Sequence, residues 1–319
     1  MMNVVWELKK YLSPARYVLA LSGGADSVAL ALACEQLQQE NSDYEFVAVH
    51  VEHGLRGEEG IRDKQFVEDF CQQHNLECIV KSVDVPGRVK LSGQSVEEAA
   101  RDLRYRALMD VALQKAAKKI LTAHHANDQA ETVILRLVRG AGSRGLGAMQ
   151  RDNGFVVRPL LDFTKSELVK YCEEHQAKWV EDSTNKDLEY RRNYVRQEIM
   201  PLLEKLNANV VSTLCQTANA LQEDDNYLST LAERLGKKII VEDELLTTDW
   251  HLYPLPVRKR VLFRWLGKLG LQPTSQHIES LEKLIATGTT GKELALPGLT
   301  LRYAYRKVYA LRDVLHIRH

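Results

Sequence analysis

The sequence predicts an α/β protein: a parallel sheet with helices on both faces, followed by a mainly helical domain with a short β tail. Three observations predict it. Through the first half, short apolar runs alternate with stretches of helical periodicity. The first apolar run ends at a glycine pair that opens a helix. Near residue 190 the alternation gives way to successive helical patterns, and short strand-like runs close the chain.

Each element has its own signal. Residues 17–21 are a short apolar run ending before Gly23 and Gly24 and read as a buried strand, followed by a helix over 27–38. A second strand spans 46–51, and residues 62–74 form a helix with Phe66, Val67, Phe70 and Cys71 at helical spacing. A third strand covers 78–83. The helix over 96–116 sets Ala99, Ala100, Leu103, Ala107, Leu108 and Val111 on one face. A fourth strand, 119–123, precedes a helix over 128–139 with Ala130, Val133, Ile134, Leu137 and Val138 inward. Strands separated by helices imply parallel βαβ units, whose ligands sit at the carboxyl ends of the strands. Residues 191–206, 210–235, 255–269 and 276–287 read as helices, punctuated by Pro201 and the 267–273 stretch. Residues 293–296, 299–305 and 308–311 read as strands, with Pro297 and Gly298 as a turn. The implied division is a catalytic domain over 1–188, a connecting helix over 189–212, and a helical domain with C-terminal short strands over 213–319.

Composition narrows the class. At 319 residues and 45% hydrophobic content the chain can bury a sizeable core. Its longest apolar run is the seven residues 28–34, so no membrane span is expected, and no secretory signal is visible. The five cysteines, Cys34, Cys71, Cys78, Cys172 and Cys215, are odd in number and contain no CxxC pair. That points to reduced thiols in the cytoplasm and away from a zinc knuckle or iron–sulfur site. The 43 basic and 43 acidic residues balance, which argues mildly against RNA. The local distribution argues the other way: five arginines and one acid over 136–158, and five basic residues with no acid over 255–270. The second of these stripes interleaves Val261, Leu262, Phe263, Trp265 and Leu266, so it is an amphipathic helix whose charged face could hold RNA.

The strongest chemical signal is Ser22, Gly23, Gly24, Ala25, Asp26 and Ser27, between the first strand and its helix. The glycines let backbone N–H groups approach a phosphate, and the helix N-terminus favours negative charge. Asp26 is odd in a pure anion site and implies an intervening cation, either Mg²⁺ or a substrate ammonium. The bland alternative is a helix N-cap. The loop lacks the Gly-Lys-Ser/Thr ending of a Walker A sequence. Further along, Asp128 and Glu131 are three residues apart at a helix start and face one way.

SGGxDS resembles the pyrophosphate loop of the N-type ATP pyrophosphatases, the PP-loop family, which adenylate a carbonyl oxygen. Within that family the chain is most similar to the tRNA(Ile)-lysidine synthases. His50, Val51, Glu52, His53, Gly54, Leu55, Arg56 and Gly57 resemble their HVNHGLRG segment, with Glu52 where Asn or Asp is common. The stretch 95–105 resembles S-x-E-x-x-A-R-x-x-R-Y, with Arg101 and Arg104 as its arginines. The stretch 124–132 resembles HHxxDQxET, with Asn127 where Asp is common. Arg139, Gly140, Gly142, Arg144, Gly145 and Gly147 resemble a basic, glycine-rich segment. Glu181, Asp182, Thr184 and Asn185, with Arg192, Asn193, Arg196 and Pro201, resemble a last one.

The resemblance implies an adenine nucleotide alpha hydrolase-like fold and two substrates besides ATP: tRNA(Ile) with a CAU anticodon and free L-lysine. It implies ATP, with Mg²⁺ held through its phosphates at Asp26, bound by Ser22, Gly23, Gly24, Ala25, Asp26, Ser27, His50, Arg104 and His124. It implies Asp26, Arg104, Asp128 and Glu131 as catalytic residues, and Arg139, Arg144, Arg192 and Arg196 as tRNA contacts. Arg192 and Arg196 could instead form salt bridges with Asp182 or Glu198. A homodimer is allowed. Many members carry a further C-terminal domain, and this chain looks like the shorter form. Two rivals stand beside this reading. One is another tRNA-modifying adenylating enzyme of the 2-thiolase type, which usually needs paired cysteines. The other is a non-catalytic adenine-nucleotide sensor, which has little use for Asp128 and Glu131.

Overall fold

Five parallel strands in the order β3-β2-β1-β4-β5 carry the first of two compact units, Met1–Ala220 and Leu221–His319. The computed structural model describes residues 4–54, 57–181, 187–188 and 190–311. The first unit runs α1 (Val4–Tyr11), β1 (Arg16–Ala20), α2 (Ala25–Glu40), β2 (Glu45–Glu52), α3 (Glu58–Gln73), β3 (Glu77–Ser82), α4 (Val85–Ser92), α5 (Val96–Gln114), β4 (Lys119–Leu121), α6 (Ala126–Val138), α7 (Ser143–Leu146), β5 (Val156–Val157), α8 (Lys165–Glu174), α9 (Arg191–Tyr194), a π-helical turn (Val195–Ile199) and α10 (Met200–Leu206).

Alternation along β1 builds the two faces of the sheet. Tyr17 and Leu19 join a buried layer with residues of α1, α2, α3 and α8, whereas Val18 joins Val49, Ile120 and the α5 residues Leu108 and Val111. Helix α2 is apolar nearly all round because α1 and α8 pack against it, and Val28 to Cys34 are all buried. No helix among the described residues is long and apolar enough to cross a membrane.

Helix α11 (Val210–Ile239) crosses the division at 220/221, and the 189–212 segment falls within the first unit. The second unit continues with β6 (Ile240–Val241), β7 (Glu244–Leu246), a 3₁₀ turn (Trp250–Leu252), α12 (Leu255–Lys268), α13 (Ser275–Thr287), β8 (Glu293–Leu296), β9 (Leu299–Ala304) and β10 (Lys307–Leu311). Its strands form an antiparallel sheet ordered β6-β7-β10-β9-β8 around a core containing Trp250, Trp265 and Leu281. The expected β tail is therefore part of a larger sheet, completed by a hairpin that precedes α12. β6 and β7 are two and three residues long, too short for period-two alternation to register in the sequence. The same holds for the two-residue β5. Helices α1, α4, α7 and α8 are not among the elements expected from the sequence; α8 has a clear capping box, Thr164 with Glu167.

Candidate active site

The order of the parallel sheet creates the site. From β1 the chain builds outward through β2 and β3, then returns to lay β4 on the opposite side of β1. Open sheets of this kind bind ligands where the winding reverses, at the carboxyl ends of the strands. The loop after β1 and the loop after β4 both end there.

The β1 loop is shaped by Gly23. Its φ is +90°, and a Cβ there would lie 2.8 Å from Val180 Cγ2. The Gly23 carbonyl also accepts the Val180 N–H at 3.0 Å. Gly24 is less constrained, since a Cβ there would meet nothing nearer than 3.8 Å. Ser27 ties the loop together: its Oγ accepts the N–H groups of Ser22 and Gly23, each at 3.2 Å, and donates to the Gly24 carbonyl at 2.9 Å. Helix α2 then starts with no side-chain cap, so its leading N–H groups lack the partner that the N-cap alternative requires.

Asp26 sits on the first turn of α2. Lys165 Nζ, from the start of α8, donates to both of its oxygens at 2.8 Å. His125 Nε2 stands 3.6 Å from Asp26 Oδ2 and 3.5 Å from Asp128 Oδ2. Burial pushes the Asp26 carboxyl up, but His125 and Lys165 outweigh it and hold it below the ordinary carboxylate value.

The β4 loop leads into α6 through a reciprocal cap. The His125 N–H donates to Asp128 Oδ2 at 3.1 Å, and the Asp128 N–H donates to His125 Nδ1 at 3.4 Å. That makes Nδ1 an acceptor and leaves the ring proton on Nε2, facing Asp26 and Asp128. Burial opposes ionisation of Asp128, but His125 and Arg192 together with the His125 backbone N–H bring its pKa down to about 2. Burial pushes His124 down to about 3, with Arg158, Arg104 and Arg192 adding to the effect against Asp128. His124 is thus a neutral imidazole, and its Nδ1 pairs with Thr122 Oγ1 at 2.9 Å.

Glu131, one turn on, is 1% exposed. Arg192 Nε donates to its Oε2 at 2.9 Å, and Arg196 donates to Oε1 at 2.6 Å and to Oε2 at 3.1 Å. Arg192 Nη2 also reaches Asp128 Oδ1 at 2.9 Å. The two arginines lie on α9 and the π-helical turn, whose Val195 packs with Met200 and the α6 residue Ala130. Read from sequence as RNA contacts, or as partners of Asp182 or Glu198, they are here engaged with Asp128 and Glu131.

The remaining candidates scatter. His50, at the end of β2, donates from Nδ1 to the Leu21 carbonyl at 3.0 Å. Arg104, on α5, has no hydrogen bond or ion pair among the described residues; its guanidinium lies 5.5 Å from the Tyr105 ring, and burial lowers its pKa. Arg139 and Arg144 are exposed around α7, while Arg136 anchors that loop by donating to the Gly145 and Ala148 carbonyls. Asn127 accepts the Lys165 backbone N–H at 2.9 Å through Oδ1, an atom Asp would also supply. Leu55, Arg56 and residues 182–185 lie outside the described residues. The sequence reading missed His125, Lys165 and Arg158. His125 was visible beside His124, but Lys165 lies 139 residues from Asp26 with no motif to join them. Arg158 is buried and donates to the Gln150 carbonyl at 2.6 Å.

A model of the PP-loop domain matches residues 2–203, and one of the TilS substrate binding domain matches residues 245–309. The tRNA(Ile)-lysidine synthase of Clostridium acetobutylicum is 32% identical over 292 residues, covering 88% of this chain and 62% of that protein. That of Thermus thermophilus is 36% identical over 286 residues, covering 88% of this chain and 54% of that protein. The chain thus spans little more than half to three-fifths of the length of these relatives. Among solved structures, the U34-tRNA thiolase NcsA from Methanococcus maripaludis matches with a TM-score of 0.57 at 16% identity, over 69% of this chain and 78% of that one. At that identity the likeness is one of fold.

Proposed function

The chain belongs to the PP-loop domain family, and from that premise we propose that it is an ATP-dependent ligase that joins lysine to a tRNA base. The substrates are ATP, free L-lysine and tRNA(Ile) with a CAU anticodon. The products are lysidine at the wobble position, AMP and diphosphate. The observation that carries this reading is the convergence of Asp26 and Asp128 on one histidine, His125, at 3.6 and 3.5 Å. A nucleotide sensor needs the first loop alone; a ligase needs a second, acidic station beside it. The substrates imply a cytoplasmic setting.

The reaction has two steps. The O2 of the wobble cytidine attacks the α-phosphorus of ATP, the bond from that phosphorus to the pyrophosphate oxygen breaks, and an adenylated cytidine forms. The ε-amine of lysine then attacks C2, and AMP leaves. The N–H groups opening α2 bind the pyrophosphate end. Arg104, a guanidinium without a carboxylate partner among the described residues, stabilises charge at the α-phosphate. His124, its pKa pushed down to about 3 by burial, is neutral near pH 7, adds no positive charge of its own and serves as a polar wall of the nucleotide site.

Magnesium fits this loop in one way. Among the described residues no cluster of three or more His, Cys, Asp or Glu could hold a metal alone. Asp26 is a single carboxylate beside the phosphate loop, and Mg²⁺ commonly binds through one or two carboxylates plus substrate phosphates. When bound, Mg²⁺ would neutralise phosphate charge beside Asp26.

Lysine carries an ammonium of pKa ~10.4 and must lose a proton to attack. Asp128, at about 2, attracts an ammonium but accepts its proton poorly. Glu131 has both oxygens engaged by Arg192 and Arg196. Lysine entry displaces one of these guanidinium contacts, and the acid so released accepts the proton. Arg139 and Arg144, exposed around α7, face the phosphate backbone of the tRNA.

The test is to incubate the protein with ATP, Mg²⁺, labelled lysine and CAU-anticodon tRNA(Ile). Label is expected in the RNA, with AMP and diphosphate released. Asp128→Asn is expected to abolish incorporation and keep ATP binding. Production of ADP in place of AMP, or turnover without lysine, would exclude the assignment.

A further inference from the structure

We propose that Lys165 is the side chain that receives the pyrophosphate end of ATP, exchanging its ion pair with Asp26 for contact with the phosphates; this rests on the ATP reading above. Asp26 is the only acid in the loop from Ser22 to Ser27, and it lies at the helix end where phosphate is expected. A carboxylate beside phosphates repels them unless a cation stands between. The Lys165 ammonium is in that position, donating to both Asp26 oxygens at 2.8 Å. An ammonium has three N–H donors, so the third can reach a phosphate oxygen before the two contacts to Asp26 are given up.

Three features separate Lys165 from an incidental surface pair. Its backbone is fixed: Asn127 Oδ1 accepts its N–H, and the Thr164–Glu167 capping box pins the turn that bears it. Its side chain is half exposed, so the ammonium can shift toward a ligand without a large desolvation penalty. The other cations around the two loops have other engagements: Arg192 and Arg196 on Glu131 and Asp128, and Arg158 on a backbone carbonyl. Arg104 lies on α5 and answers the α-phosphate in the proposed reaction. In the first step the leaving pyrophosphate gains the electron pair of the broken P–O bond. Lys165 stabilises that charge as a cation, and no proton is transferred.

The experiment is calorimetric titration of the full chain with two probes, inorganic pyrophosphate and AMP, without divalent metal. Lys165→Met is expected to weaken pyrophosphate about tenfold or more, the effect of losing one charge-assisted contact, and to leave AMP affinity unchanged. Lys165→Arg is expected to retain most of the pyrophosphate affinity. The double variant Asp26→Asn/Lys165→Met separates direct contact from mere neutralisation of Asp26. If Lys165 touches the phosphates, the double variant stays weak. Recovery of wild-type pyrophosphate affinity in the double variant, unchanged affinity in Lys165→Met, or an equal loss for AMP and pyrophosphate would each overturn the proposal. A wild-type chain that binds neither ATP nor pyrophosphate would overturn the ATP reading itself, and this proposal with it.

Discussion

Asp26 and Glu131 are both held by basic side chains from distant parts of the chain, yet they are held in opposite ways. Asp26 is partly exposed and meets one flexible ammonium from α8. Glu131 is fully buried and meets two guanidinium groups from α9 and the π-helical turn, with three hydrogen bonds across its two oxygens. A Lys–Asp pair in contact with water is worth little and separates easily. A buried acid chelated by two arginines locks three chain segments together, and the acid left without them is an uncompensated buried charge. The same crevice thus pairs a partly exposed ion pair with a buried cluster that clamps the fold.

The largest effect expected from that contrast is on Glu131. Glu131→Ala should lower stability by ~3 kcal/mol, because it removes three charge-assisted hydrogen bonds and leaves Asp128 as the remaining carboxylate for both arginines. Urea denaturation of the variant would read this as a lower midpoint, and wild-type stability would break the comparison.

A smaller effect belongs to Asp128 and to pH. Its folded pKa is about 2, below the ordinary 3.8, so the group stabilises the fold fully above about 4 and loses that contribution as pH falls toward 2. The loss should amount to ~2 kcal/mol, and Asp128→Asn should flatten the stability profile in this window. A profile unchanged by the substitution would remove Asp128 from the electrostatic network.

Lys165→Met should change stability by less than ~1 kcal/mol, in keeping with an exposed pair. A melting-temperature drop as large as that of Glu131→Ala would mean that the two stations are alike after all. The smallest stability effect is expected for Arg139→Ala, within ~0.5 kcal/mol of wild type, because the side chain is exposed. Its effect should appear in RNA binding instead, as weaker affinity and a shallower dependence on salt. Unaltered salt dependence would detach this arginine from the RNA.

Legibility in the sequence followed locality. The βα alternation, the glycine pair after β1 and the Asp128–Glu131 spacing all depend on residues within a turn or two of each other. The hairpin of β6 and β7 was illegible because its strands are shorter than the period they would have to display. The role of Gly23 over Gly24 was illegible for a different reason. Both look alike in sequence, and only the fold gives Gly23 its φ of +90° and sets Val180 and Phe66 against it.

The sequence by itself determined the class of sheet, the helix that starts at a glycine-pair turn, and the two acids on one face of α6, since backbone propensity and side-chain periodicity are local properties. Tertiary structure alone decided that β4 lies beside β1, that His125 bridges Asp26 and Asp128, and that Lys165, Arg192 and Arg196 are the cations those acids meet. Electrostatic partners are selected by distance in space, and no short-range pattern records which charge, 61 or 139 residues away, the fold will bring within reach.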